Sequence, residues 1–262
     1  MKAPWLYDRK PFQVTDNVWY VGNDQVAVHL IDTGDGLILI DTAWPSTLYL
    51  LIESIREAGF NPYDVKYIVH SHGHVDHWGG TRRFVEKYGA ETFMGEKDRP
   101  LMTDRIDLSC SIKYSSEGYA DFKIDHWLHD GDTITLGNTT ITVYEAPGHT
   151  PGTLGIFFDS TVNGRTVRCG MHGGVGINTL AKDYMETYGI NWRGVYKESM
   201  EKMMAQHVDV VLGNHPYQAH VFERLNAAKD GENPFVDPTW WPTFLKERMD
   251  MYNELMEKEP VE

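Results

Sequence analysis

Cysteine is nearly missing from this chain, long apolar runs are missing altogether, and positive charge is scarce. With Cys110 and Cys169 as the only cysteines, no framework of disulfides staples the fold, and both are expected as free thiols. The longest apolar stretches, such as Gly36 to Ile40 and Leu48 to Ile52, fall far short of the roughly 18 residues a membrane helix needs. No bilayer-spanning helix is expected. Lys and Arg number 24 against 38 Asp and Glu, for a net charge of −14, and Asp230 to Glu262 alone carries nine acids against three bases. A surface that tracks phosphates needs clustered cations, so nucleic acid and anionic membranes are excluded as general partners and a small molecule is the expected one. From Met1 to Lys10 charges interrupt the chain before any apolar run of signal-peptide length, which predicts a cytoplasmic protein.

No linker, low-complexity segment or repeat divides residues 1–262, so one α/β domain is expected. Val26 to Asp32 and Leu37 to Asp41 flank Thr33-Gly-Asp-Gly36 as a hairpin, and the second run, apolar on both faces, reads as interior. A helix is predicted from Pro45, with Ser46 as its N-cap, Leu48, Leu51, Ile52 and Ile55 on one face and Gly59 at its end. Val65 to Val69 reads as a strand that feeds a histidine-rich loop, and Gly79 to Tyr88 as the helix after it. Further strands are predicted at Thr133 to Leu136, Thr140 to Glu145, Thr153 to Phe158, Thr166 to Cys169 and Val208 to Leu212. Val195 to His207, Ala219 to Lys229 and Thr243 to Lys258 read as helices, giving sheets covered by helices.

His72-Gly-His-Val-Asp-His77, at the end of a predicted strand, carries the strongest chemical signal. Alternation along an extended segment puts His72, His74 and Asp76 on one side, and a turn at the following helix brings His77 round. Imidazole and carboxylate donors without thiolates suit a catalytic metal better than a closed structural site. Two remote histidines sit in comparable places: His149 in the rigid turn Ala146-Pro-Gly-His-Thr-Pro-Gly152, and His215 in Leu212-Gly-Asn-His-Pro-Tyr217, just past a buried strand.

The order His72, His74, Asp76, His77, His149, His215, together with Asn17-Val-Trp-Tyr-Val-Gly22, Leu30-Ile-Asp-Thr-Gly34 and Leu39-Ile-Asp-Thr42, resembles the metallo-β-lactamase superfamily over most of the chain. The resemblance implies an αββα four-layer sandwich with the site at one edge between two sheets, and Asp41 behind the metal loop. The chain departs from many members where a bridging aspartate is common, because Cys169-Gly-Met171-His172 stands there. Met171 cannot bridge metals, and Cys169 or His172 is a conceivable substitute. The donor set is most similar to the third subclass (B3-type) of metallo-β-lactamases, which lacks the bridge. That likeness implies two Zn²⁺ ions, one on His72, His74 and His149 and the other on Asp76, His77 and His215. It further implies a hydrolase that opens a cyclic amide by attack of a zinc-bound hydroxide, with Asp76 orienting the nucleophile as the catalytic residue. The alternative is a cytoplasmic zinc hydrolase of a lactone or thioester; a phosphodiesterase fits the charge less well. Met102 to His129 and Gly170 to Tyr188 are the candidate pocket walls.

Overall fold

The computed structural model describes residues 3–229 and 231–260. Met1, Lys2, Asp230, Val261 and Glu262, on which the readings of the two termini partly rest, lie outside the described residues.

Two sheets face one another. The first holds β1 (Phe12–Thr15), β2 (Val18–Tyr20), β3 (His29–Asp32), β4 (Leu37–Ile40), β5 (Val65–Val69), β6 (Glu91–Gly95) and β7 (His126–Leu128), side by side in that order. The second holds β8 (Thr133–Leu136), β9 (Thr139–Glu145), β10 (Leu154–Val162), β11 (Arg165–His172) and β12 (Val210–Val211), with β12 at one edge and β8 at the other. The strand β4 explains the layering. Its Ile38 and Ile40 pack between the sheets against the same core as Ile141, Val143 and Ile156, while Leu37 and Leu39 turn outwards to Leu51 and Ile55 of the helix Leu48–Glu57. A strand covered on both faces needs apolar residues at every position, which is what the run Leu37 to Ile40 supplies. On the far side, Tyr196, Met200 and Met203 of the helix Arg193–Met204 and Trp241 of the helix Trp240–Lys258 close the second sheet. The result is the αββα sandwich. Among the described residues no helix is long and apolar enough to cross a membrane.

Several local expectations need correction. Ser46 is not an N-cap: Pro45–Thr47 forms a 3₁₀ turn in which Thr47 returns its backbone N–H and its hydroxyl to the Trp44 carbonyl, and the α-helix starts at Leu48. Its buried face is centred on Leu51 and Ile55, with Leu48 and Ile52 only half-buried. The hairpin strand begins at His29 rather than Val26, and the helix expected from Gly79 begins earlier, at Val75, inside the histidine motif. Past Gly79 it continues as Thr81–Arg83 and a π-turn, Phe84–Tyr88. The hairpin β10–β11 runs to Val162 and Arg165 because Asn163 and Gly164 both adopt positive φ (52° and 74°), the turn type that matches strand twist. Val208 to Leu212 keeps only two residues in the ladder, Val210 and Val211, alongside β11. The helix Val221–Asn226 is shorter than Ala219 to Lys229, and the last helix starts three residues early, at Trp240. Pro242 fits its first turn because that N–H has no partner within a helix. Strands β1, β2, β6 and β7 and the helix Lys182–Tyr188 were not foreseen; β7 and that helix fall in the two segments taken as pocket walls.

Candidate metal centre

The parallel pair β4–β5 matches Ile40 with Val69, so the chain leaves both strands at the same edge, with Asp41 beside the loop His70 to His74. Asp41 takes a left-handed backbone (φ 66°), and its carboxylate is fully buried. One oxygen accepts the Ser71 N–H at 2.7 Å; the other accepts the Ser71 hydroxyl at 2.7 Å and Nδ1–H of His77 at 2.7 Å. A strained conformation held by three hydrogen bonds is typical of a residue that orients a site.

The structure brings all six sequence-selected donors together in two groups. Ring nitrogens of His72, His74 and His149 gather in one, and those of His77 and His215 join the Asp76 carboxylate in the other; within each group the donor atoms lie within 4.8 Å of one another. Asp76 and His77 reach their places from the first turn of the helix Val75–Trp78, with His74 at its N-cap, and not from an extended segment as the motif alone suggested. The catalytic candidate Asp76 places Oδ2 3.4 Å from His77 Nε2 and 3.6 Å from His215 Nε2, and those two nitrogens are 3.3 Å apart.

Carbonyl and carboxylate oxygens only accept, so they fix the tautomers. Nδ1–H of His72 donates to the Gly173 carbonyl (2.7 Å), that of His149 to Gly176 (2.8 Å), and that of His215 to Gln25 (2.7 Å), as that of His77 does to Asp41. Each of these four rings therefore aims Nε2 into its group. His74 is turned the other way, with Nδ1 3.1 Å from Nε2 of His72 and its own Nε2 buried without a partner. Burial pushes His72 and His149 well below the ordinary imidazole value and His74 down to about 4. His72 and His149 thus aim uncharged Nε2 lone pairs into the group, and His74 brings Nδ1 to the same place while its Nε2 is orphaned, a donor set that a cation bound among the three rings would satisfy. Donors at zinc distances around a tetrahedral ion stand about 3.3 Å apart, and the Asp76–His77–His215 separations of 3.3 to 3.6 Å match that edge. The residues fit metal ions in both groups.

His77 is electrostatically different. Burial works against its charge, but Asp76 and Asp41 on either side hold it up to about 10. Burial likewise raises the Asp76 carboxyl, and His77, His215 and His74 together outweigh it and leave the group ionised far below the usual range. The pull on a proton at His77 Nε2 is equally a pull on a metal ion. Exchanging Asp41 for alanine is therefore expected to weaken metal binding by this group about 10- to 100-fold, read by zinc competition with a chromophoric chelator.

Sequence reasoning missed Asp98, a fully buried carboxylate after β6. It accepts the Gly73 N–H (2.6 Å), the Gly152 N–H (2.6 Å) and the Thr150 hydroxyl (2.7 Å), and so ties the His72-Gly-His74 loop to the turn that carries His149. Gly152 is required there because a Cβ would lie 2.4 Å from the Asp98 nitrogen. The two candidates for a bridging role fall outside both groups. Cys169 is packed in the core with Met171. His172 pairs with Gly155, whose free side faces Met203, so its ring lies on the helix-covered face of the sheet, and burial pushes it down to about 3.

A model of the metallo-beta-lactamase superfamily matches residues 21–162, more than half of the chain. This chain belongs to the metallo-beta-lactamase superfamily. The subclass B3 metallo-beta-lactamase BJP-1 of Bradyrhizobium japonicum is 29% identical, with 98% of this chain and 97% of that chain covered at a TM-score of 0.84. A mutant of the metallo-beta-lactamase FEZ-1 of Legionella gormanii is 27% identical, with 97% and 98% covered at a TM-score of 0.87. Among curated relatives, the hydroxyacylglutathione hydrolase GloC of Haemophilus influenzae is 26% identical over 139 residues, which span 52% of this chain and 63% of GloC. As a member of this superfamily whose fold gathers two groups of metal-donor side chains, the protein is a metallo-hydrolase.

Proposed function

We propose that the protein is a dinuclear zinc hydrolase that opens a cyclic amide of the β-lactam kind. The observation that carries this is the pair of donor groups, three histidines beside Asp76, His77 and His215, with no further carboxylate joining either group among the described residues. Zinc bound there supplies an acidified water at neutral pH and polarises a carbonyl. Asp76 is the one anionic donor among the six, and its carboxylate orients the nucleophilic water and accepts a hydrogen bond from it. A new C–O bond forms at the carbonyl carbon, the ring C–N bond breaks, and the departing nitrogen takes up the proton that the attacking water loses. Asp41 and the Gly173, Gly176 and Gln25 carbonyls keep four rings in one tautomer through the reaction, so no reorganisation of the donors is needed.

A second reading, hydrolysis of a lactone or thioester, is favoured by the likeness to a hydroxyacylglutathione hydrolase. Hydrolysis of a carbapenem and a cephalosporin by zinc-loaded protein, run beside a lactone and a thioester with a chelator control, decides between them. Chelator-sensitive β-lactam turnover supports the first; turnover of only the lactone or thioester replaces it with the second.

The two groups also differ in their response to pH. His72 and His149, well below the ordinary value, and His74, at about 4, bring no protons to the site at neutral pH. A metal at His77 must displace a proton held up to about 10. Affinity of the Asp76 group is therefore expected to rise about tenfold per pH unit between about pH 6 and 8, while that of the three-histidine group stays nearly flat. Zinc competition titrations at both ends of that interval resolve the two constants.

A further inference from the structure

His149 is held by main chain that a single helix supports from behind. Its ring rests against Gly174 and Gly176, where an added Cβ would fall 2.9 Å from the His149 Cβ and 3.0 Å from its Cε1, and its Nδ1–H donates to the Gly176 carbonyl. Both this segment and the turn that carries His149 are tied to the helix Arg193–Met204. Three of its buried side chains follow at intervals of three residues and so line one side of it, and each donates to a main-chain carbonyl. Arg193 gives Nε–H to Leu180 (2.8 Å) and Tyr196 gives its hydroxyl to the buried Val175 (2.9 Å). Ser199 gives its hydroxyl to Pro147 (2.7 Å), with the Tyr196 carbonyl of its own helix as a competing acceptor (2.9 Å). The turn also lies directly on the helix: a Cβ at Gly148 would sit 2.5 Å from the Cβ of Tyr196, so only glycine fits. The remaining nitrogens of Arg193 are taken by Glu259 at the end of the last helix, Nη1 by its carbonyl (2.6 Å) and Nη2 by its carboxylate (3.0 Å), which fixes the base of the arrangement.

We infer that the helix Arg193–Met204 is a strut for the three-histidine group, with Arg193, Tyr196 and Ser199 as positioning residues that set where the His149 imidazole points. The inference rests on the metal-binding reading of that group and on no particular substrate. Removing one of these hydroxyls lets the His149 turn or its Gly176 anchor drift, and a ring that must be re-ordered binds metal less tightly. The other group is an internal reference. His77 and His215 are oriented by Asp41 and Gln25, to which none of the three side chains donates.

Tyr196→Phe and Ser199→Ala each remove one hydroxyl and keep the packing. Zinc competition titrations are expected to show the three-histidine group about tenfold weaker in each variant, while the Asp76 group stays within about twofold of the parent. Tyr252→Phe controls for stability alone: its hydroxyl also meets this helix, at the Arg193 carbonyl (3.1 Å), but reaches neither segment around His149. It should lower the melting temperature about as much as Tyr196→Phe and leave both zinc affinities unchanged. Equal losses at the two groups of Tyr196→Phe, or as large a loss in Tyr252→Phe, overturn the proposal. A second readout needs no metal. In the metal-free protein the Nδ1–H of His149, followed by proton NMR, is expected to exchange with water about tenfold faster in Tyr196→Phe than in the parent; an unchanged rate overturns the proposal. If the parent takes up no zinc at the three-histidine group, the dinuclear reading fails and the exchange rate alone decides for or against the strut.

Discussion

Replacing Asp76 by alanine is expected to lower kcat/KM by about 100- to 1,000-fold and to reduce bound zinc from two equivalents towards one. The carboxylate is the sole anionic donor of its group, and without it His77 and His215 remain as two imidazoles. Two neutral donors hold zinc far more weakly than three donors that include a charge. The side chain is 16% exposed and no backbone group donates to it, so the metal-free variant should keep the fold and melt only modestly below the parent, by the charge partner that buried His77 loses while Asp41 remains. That separates loss of metal and nucleophile from loss of fold. Full hydrolysis at full zinc occupancy would remove Asp76 from the chemistry.

Asp98→Ala should act by a different route, through stability and through the three-histidine group. The substitution strands the buried N–H groups of Gly73 and Gly152 and leaves the buried Thr150 hydroxyl with Thr153 as its remaining side-chain partner. At about 1–3 kcal/mol for each unsatisfied group, partly relieved by entering water, a total loss of about 3–5 kcal/mol is expected. Gly73 sits between His72 and His74, and Thr150 follows His149, so the same change loosens all three ligands of one group and none of the other. Zinc affinity should therefore fall selectively at His72, His74 and His149, while Asp76, His77 and His215 keep theirs. Asp98→Asn should recover only part of the stability, because its amide nitrogen faces a donor where the carboxylate had an acceptor. A thermal melt and a two-site zinc titration of both variants read these effects. An unchanged melt in Asp98→Ala would refute the role assigned to this residue.

The contrast between Asp76 and Asp98 explains how much the sequence disclosed. The six donors were readable because four sit within one short motif at the end of an apolar strand, and the other two lie in Gly- and Pro-bounded turns at similar strand ends. Chemistry marks such residues directly. Asp98 carries no such mark: it follows β6, a strand of Glu91-Thr-Phe-Met-Gly95 with no clean alternation, and its partners are backbone N–H groups that any sequence possesses. Its importance is created by packing alone. The layered fold was legible in Leu37 to Ile40, whose apolar residues on both faces require cover on both sides. The start of the helix at Val75 was not, since a histidine motif and a helical first turn share the same residues and only the tertiary hydrogen bonds decide between them. His172 illustrates the reverse case. By type and neighbourhood it was a conceivable substitute ligand, but strand alternation turns it to the opposite face from the one the sheets share.

Anomalous diffraction at the zinc edge from crystals of the zinc-loaded protein tests the dinuclear site most directly. Two peaks are expected, one enclosed by His72, His74 and His149 and the other by Asp76, His77 and His215. A single peak, or a second peak beside His172 or Cys169, would contradict the assignment of the donors and the mechanism built on it.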